Sequence, residues 1–201
     1  DVLTVPIVDK EQRLVGIVTV DDIIDIIAEE TTEDISKMAG IVTTDKPYLK
    51  TSSYKLWLAR VPWLLLLMIS STFTGIIINS FEEALANALL FACVPMLMGT
   101  GGNAGGQSSV TVIRGMSLNE VEGRDFFKVL WKEIRVGLLS AITLAVVCFL
   151  KLQLIDNLIF GYDYDYITSF VVSITLASTV VLAKLVGALL PFLAKLLRLD
   201  P

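Results

Sequence analysis

The apolar positions change period along the chain, from short β-branched runs near the amino terminus to long uninterrupted runs further on. Leu3 to Val8 and Leu14 to Val20 are rich in Val and Ile and are joined by Asp9-Lys10-Glu11-Gln12, which predicts a strand, a polar turn and a second strand. A helix should follow, capped by Thr19 or Asp21, with Ile23, Ile24, Ile26 and Ile27 as its apolar side. A piece of about thirty residues is too small to bury a stable core alone. It therefore reads as the tail of a larger domain, with the chain beginning in mid-module.

Further on, Val61 to Asn79 carries no charge, and at 1.5 Å per residue it extends roughly 28 Å, the hydrocarbon thickness of a bilayer. Ala84 to Met98 is shorter, but the stretch without Lys or Arg continues through a glycine-rich segment to Ile113. Val136 to Leu150 and Ile167 to Ala183 supply two more runs, prolonged by apolar residues beyond Lys151 and Lys184. Backbone polar groups cannot face lipid unsatisfied, and these runs lack the alternation of a barrel. Four membrane helices are predicted, at about 56–79, 84–113, 127–152 and 165–197. The expected fold class is mainly α, a polytopic helical membrane protein.

Composition agrees with that reading. Of 201 residues 54% are hydrophobic and 18% charged, and a mean hydropathy of +0.72 argues against a water-soluble monomer. The net charge of −5, with no basic cluster, argues against a nucleic-acid partner. The absence of His removes imidazole zinc sites and His-based triads, leaving little for enzymatic chemistry. Cys93 and Cys148 sit in apolar runs and read as small buried hydrophobes. Asp1 to Lys10 lacks the basic and apolar regions of a targeting signal.

Charge is unevenly placed. Residues 1–45 hold eleven acids against three bases, whereas 61–113 hold only Glu82 and Glu83. Bases flank the predicted spans in three groups: Lys46, Lys50, Lys55 and Arg60; Arg114, Arg124, Lys128, Lys132 and Arg135; and Lys195 and Arg198. By the positive-inside rule these segments, and the amino terminus with them, should be cytoplasmic. The hairpin at Ser80–Glu83 and the loop from Gln153 to Tyr166 have no base and should face outward, where Asp156, Asp163 and Asp165 could attract cations. Lys184 reads as snorkelling toward the cytoplasmic headgroups.

Two motifs carry candidate chemistry. Gly99-Thr100-Gly101-Gly102-Asn103-Ala104-Gly105-Gly106-Gln107-Ser108-Ser109 follows Pro95 inside the second span. It superficially matches dinucleotide and phosphate-loop patterns, but no strand precedes it and Gln107 stands in place of the phosphate-loop Lys. Close helix packing needs small residues only every fourth position. A broken helix lining a hydrated path would account for all the glycines together with Asn103 and Gln107, with freed carbonyls as cation ligands. Oxygen donors without His, Cys or Met favour a hard ion such as Mg²⁺. The second motif is the run from Asp21 to Asp34, with seven acids and no base. On a helix Asp22, Asp25, Glu29 and Glu33 fall within about 80° of arc. That stripe is either a solvated face or, since like charges one turn apart repel, half of a divalent-cation site.

These residues resemble the MgtE family of Mg²⁺ channels along essentially the whole chain. Val5-Pro6-Ile7-Val8-Asp9 and Gly16-Ile17-Val18-Thr19-Val20-Asp21-Asp22 are similar to the second half of a CBS module, and Ala28 to Ile35 to the start of the family's connecting, or plug, helix. Leu56 to Arg60 resembles the approach to its first membrane helix, and Pro95 with Gly99 to Ser108 its pore motif. Lys132-Glu133, Leu185 to Phe192 and Asp200-Pro201 complete the match; Gly106 departs from it, standing where the family has a polar amide.

The resemblance implies a partial α/β CBS module at 1–28, a connecting helix and linker at 29–55, and a membrane domain at 56–201 whose fifth helix, bearing the pore carboxylate, would follow Pro201. It implies a homodimer in a bacterial inner or plasma membrane that carries Mg²⁺ and is gated by cytosolic Mg²⁺. The sensing residues would be Asp22, Asp25, Glu30, Glu33, Asp34 and Asp1. The pore would use backbone carbonyls of Gly99 and Gly102, with Thr100, Gly101, Asn103 and Gln107 also lining it. An adenine nucleotide would sit at the module on Thr19 and Asp22. The alternative function is a membrane-anchored CBS regulatory subunit that senses nucleotide and has no ion path of its own.

Overall fold

A computed structural model of the chain describes residues 3–43, 47–83 and 87–197. They fall into two compact units, divided between Phe81 and Glu82.

The first unit opens with a β-hairpin. Strands β1 (Thr4–Val8) and β2 (Leu14–Thr19) pair antiparallel, Thr4 opposite Thr19 and Val5 opposite Val18, with an irregularity between Ile7 and Val8. The polar turn closes through Asp9, whose carboxylate accepts from the Arg13 amide at 2.8 Å. Helix α1 (Val20–Met38) follows directly, with Thr19 rather than Asp21 as its cap. It runs unbroken across the expected boundary at residue 28. The chain leaves it through Gly40, whose φ of +65° suits glycine and whose missing Cβ makes room for the Trp63 ring. The Val42 amide then donates to the Ala59 carbonyl at 3.1 Å. Helix α2 (Ser53–Ser80) is capped by Ser52 and buries only Ala59 among its residues. Most of its apolar side chains are exposed, as suits a helix of the length and composition that cross lipid.

The second unit is three long helices. Helices α3 (Ala88–Ser117) and α4 (Phe126–Leu150) both pack on α5 (Tyr166–Leu196), and one six-residue π-helical segment, Lys151–Asp156, prolongs α4. The buried core contains Cys93, Ala104, Cys148, Leu152, Val172, Leu176 and Val180. Val112, Met116 and Ala188 form a second cluster, against which Phe192 packs. Both cysteines are free and buried, as expected.

Among the described residues four helices are long and apolar enough to cross a membrane: Ser53–Ser80, Ala88–Ser117, Gly123–Asp156 and Tyr166–Leu196. Each of the four predicted spans overlaps one of these helices. The expected start of the second, at residue 84, lies outside the described residues.

Candidate functional site

The glycine-rich segment does not break the helix. Helix α3 is continuous through it, capped by Asn87, whose side-chain oxygen accepts from the Leu89 amide at 2.9 Å. The expectation of irregular backbone is thus corrected. Glycine's low helix propensity, about 1 kcal/mol per residue, is measured in water. In hydrocarbon a broken turn would leave amides and carbonyls with no partner, and close packing on α5 compensates the missing side chains.

The helical period sorts this segment into two faces. Gly101, Ala104 and Ser108 are buried and Gly105 is half-buried. A Cβ at Gly101 would come within 2.7 Å of the Thr179 methyl, and one at Gly105 within 3.0 Å of the Ala183 carbonyl oxygen. A Cβ at Gly187 would collide with the carbonyl oxygen of Gly105 and approach its carbon to 2.8 Å. Gly101 was expected along the ion path, but it is turned inward to let α3 approach α5. On the opposite face Gly99, Gly102 and Gly106 meet nothing within 4 Å. Asn103 and Gln107 are exposed beside them, and Thr100 is half-buried. Gly102, Asn103, Gly106, Gln107, Val110 and Thr111 line an open groove of 630 Å³. In a continuous helix the carbonyls of Gly99 and Gly102 already accept from amides four residues on. Each offers a cation only its second lone pair, which suits contact with the water around an ion better than direct ligation.

The acidic helix is held differently. The Thr19 hydroxyl and amide donate to the Asp22 carboxylate at 2.6 and 2.8 Å, and the Asp22 amide donates back to the Thr19 hydroxyl at 3.5 Å, closing a capping box. Those two bonds hold the Asp22 carboxyl below its ordinary 3.8. A nucleotide gripped by Thr19 and Asp22 would have to displace this cap. Asp25, Glu30 and Asp34 stand exposed on α1, while Glu33 pairs with Lys37 at 2.9 Å. Among the described residues no three acidic or cysteine side chains converge to hold a metal ion. Asp1 lies outside the described residues.

Two buried polar groups escaped the sequence reading. The Ser108 hydroxyl donates to the Glu133 carboxylate at 2.6 Å, joining α3 to α4. At the other end of the unit Asp156, expected as an exposed external acid, is 5% exposed and bonded to Lys151 at 2.7 Å. Asn157 fixes the same loop, donating to the Tyr164 carbonyl at 2.8 Å and accepting from its amide at 2.9 Å. Lys184 does not snorkel; it is 7% exposed, packed over Gly137. Glu133, Gly137 and Ala141 recur every fourth residue, a face legible in the sequence. The Lys151–Asp156 spacing of five becomes one turn only in a π-helix, which nothing in the sequence announces.

Four apolar spans, three of them packed into one helical unit with polar groups buried at membrane depth, define a multi-pass membrane protein. A family model described as MgtE, divalent cation transporter, matches residues 94–201. The chain is 41% identical over 203 residues to a magnesium transporter MgtE of Thermus thermophilus, and 34% over 205 residues to one of Bacillus subtilis. An Enterococcus faecalis magnesium transporter MgtE is 30% identical over 202 residues. All of this chain is covered in each comparison, against 43%, 43% and 42% of the three relatives, so it spans less than half their length. The chain belongs to the MgtE family of divalent cation transporters.

Proposed function

We propose that this chain is part of a Mg²⁺ channel subunit that works as a homodimer in a bacterial inner or plasma membrane, with its amino terminus cytoplasmic. The observation that carries the reading is the open face of α3, where Gly99, Gly102 and Gly106 leave the backbone bare between Asn103 and Gln107. Mg²⁺ sheds its water reluctantly. A face of carbonyl and amide oxygens without bulk can touch the hydrated ion, and so avoids most of the dehydration penalty. Relatives of this chain bear the name magnesium transporter, in keeping with a hard cargo ion.

Regulation is proposed through residues 1–28, as half of a CBS module, and through α1. Asp22, Asp25, Glu30, Glu33 and Asp34 would each supply part of a Mg²⁺ site completed by a facing acidic surface. Without the ion these charges repel, so Mg²⁺ would favour the state that brings them together, and differential affinity of that kind is what shifts a gate. The test is Mg²⁺ uptake into dye-loaded liposomes by the full-length protein and its Gly102→Val variant. Uptake by the wild type and loss in the variant, with the dimer retained, is expected; wild-type uptake by the variant would refute the path.

A further inference from the structure

A cavity of 410 Å³ lies in the second unit where α3 begins, α4 ends and α5 begins, and small-molecule sites are commonly of that size. Ala88, Ala92 and Met96 on α3 give it an apolar wall; Lys151 and Asp156 of the π-helical segment, with Phe160 and Tyr162 of the following loop, give it a polar and aromatic end. The Asp156 carboxylate is 5% exposed. Its Oδ2 accepts from the Lys151 Nζ at 2.7 Å, but its Oδ1 accepts from no donor among the described residues. None of their polar side-chain atoms is both fully buried and without a partner, so Oδ1 keeps access to the cavity that Asp156 lines. Lys151 uses one of its three N–H donors on Asp156, and its side chain is 41% exposed.

Charge selects the ligand. A cation alone would meet the Lys151 ammonium and an anion alone the Asp156 carboxylate, because the two stand 2.7 Å apart. A molecule that carries an anion and an ammonium a short link apart satisfies both at once, and the exposed rings of Phe160 and Tyr162 add faces that attract an ammonium. Oδ1 lacks a donor, so the ammonium must bring N–H groups, which a quaternary amine does not have. The apolar wall asks for a tail as well: from Ala88 to Met96 it extends about 12 Å along α3 at 1.5 Å per residue. The cavity sits at the ends of membrane-spanning helices, beside exposed Phe160, Tyr162 and Tyr166, and aromatic residues so placed mark the headgroup level of a bilayer. We propose that this cavity binds a zwitterionic phospholipid whose headgroup ends in a primary amine, with its phosphate on Lys151, its ammonium on Asp156 and an acyl chain along α3. The inference is independent of the ion-path reading above.

The experiment titrates the full-length protein in detergent with dioctanoyl phosphatidylethanolamine, with dioctanoyl phosphatidylglycerol, which has the phosphate but no ammonium, and with free phosphoethanolamine, which has the head but no tail. The rise in unfolding temperature with ligand concentration gives an apparent Kd. Wild type is expected to bind the phosphatidylethanolamine saturably, about tenfold or more tighter than either of the others. Asp156→Asn should erase the preference between the two lipids, because Lys151, freed of its partner, still takes a phosphate. Lys151→Gln should weaken both lipids by about tenfold or more. Ala92→Phe, at an exposed position of α3, fills the cavity and leaves the ion pair intact; it should abolish saturable binding, and it decides the matter if a charge variant fails to fold. Equal affinity of wild type for the two lipids, or a preference that survives Asp156→Asn, would overturn the headgroup assignment. Unchanged binding by Ala92→Phe would place the lipid elsewhere, and phosphoethanolamine binding as tightly as the lipid would make this a site for a soluble ligand; either result would overturn the proposal.

Discussion

Gly187→Ala adds one methyl group where α5 runs closest to α3. That methyl would overlap the Gly105 carbonyl oxygen and sit 2.8 Å from its carbon. Ordinary contact begins at 3.4 Å, so the carbon alone must recede by 3.4 − 2.8 = 0.6 Å, and the oxygen by more. The obstacle is backbone in a continuous helix, so rotation of a side chain cannot relieve it. The helices must separate, loosening the neighbouring contacts of Gly101 with Thr179 and of Gly105 with Ala183. Overpacking of this kind costs about 1–3 kcal/mol, and alanine's better helix propensity returns at most about 1 kcal/mol. The expected net effect is destabilisation. Gly102→Ala is the control, because its methyl meets nothing within 4 Å and should leave stability unchanged or slightly raised. Denaturation of the full-length protein in mixed micelles compares the two. If Gly187→Ala matches wild type, or Gly102→Ala is equally destabilised, the assignment of one glycine face to packing and the other to an open surface is wrong.

Cysteine placed at position 119, in a background lacking Cys93 and Cys148, should be shielded from an impermeant reagent outside intact cells. Labelling there would reverse the topology. Neutralising Asp22, Asp25, Glu30, Glu33 and Asp34 together should weaken inhibition by cytosolic Mg²⁺ in patches of full-length protein; unchanged inhibition would return α1 to a solvated face. The Asp22 carboxyl is lowered by its bonds from Thr19, so its share of stability is present above the unfolded value and lost as pH falls through the folded one. Protection of the first-turn amides of α1, relative to their intrinsic exchange at each pH, should therefore fall as the Asp22 carboxyl is protonated, and Thr19→Val, which removes the hydroxyl bond but keeps the amide bond, should weaken that pH dependence.

The spans were legible because length and missing charge are one-dimensional properties, and Val61 to Asn79 announces itself by both. Thr19 as cap and Asp22 as its reciprocal partner follow from local spacing, and α1 begins there. The continuity of α3 was not legible. Glycine propensity argues for a break, and only the packing of Gly105 against Gly187, eighty-two residues apart by 187 − 105, shows why none occurs. Lys184 and Asp156 were misplaced for a related reason. Composition tells that a charge is near the end of an apolar run, but which way its side chain turns depends on a neighbouring helix: Gly137 for Lys184, and the π-helical turn that brings Lys151 to Asp156.

The division of α3 into two faces also limits how its gene can change. Each residue advances the helix by 100°, so a single insertion or deletion between Gly102 and Ser108 would rotate everything beyond it by more than a quarter turn. Gln107 would no longer share a side with Gly102 and Gly106, and Ser108 would swing off Glu133, although no side chain had been altered. Substitutions here are weighed one position at a time, each by the space its own side of the helix offers. Length is weighed all at once, so the spacing of this segment should tolerate less change than any of the residues it separates.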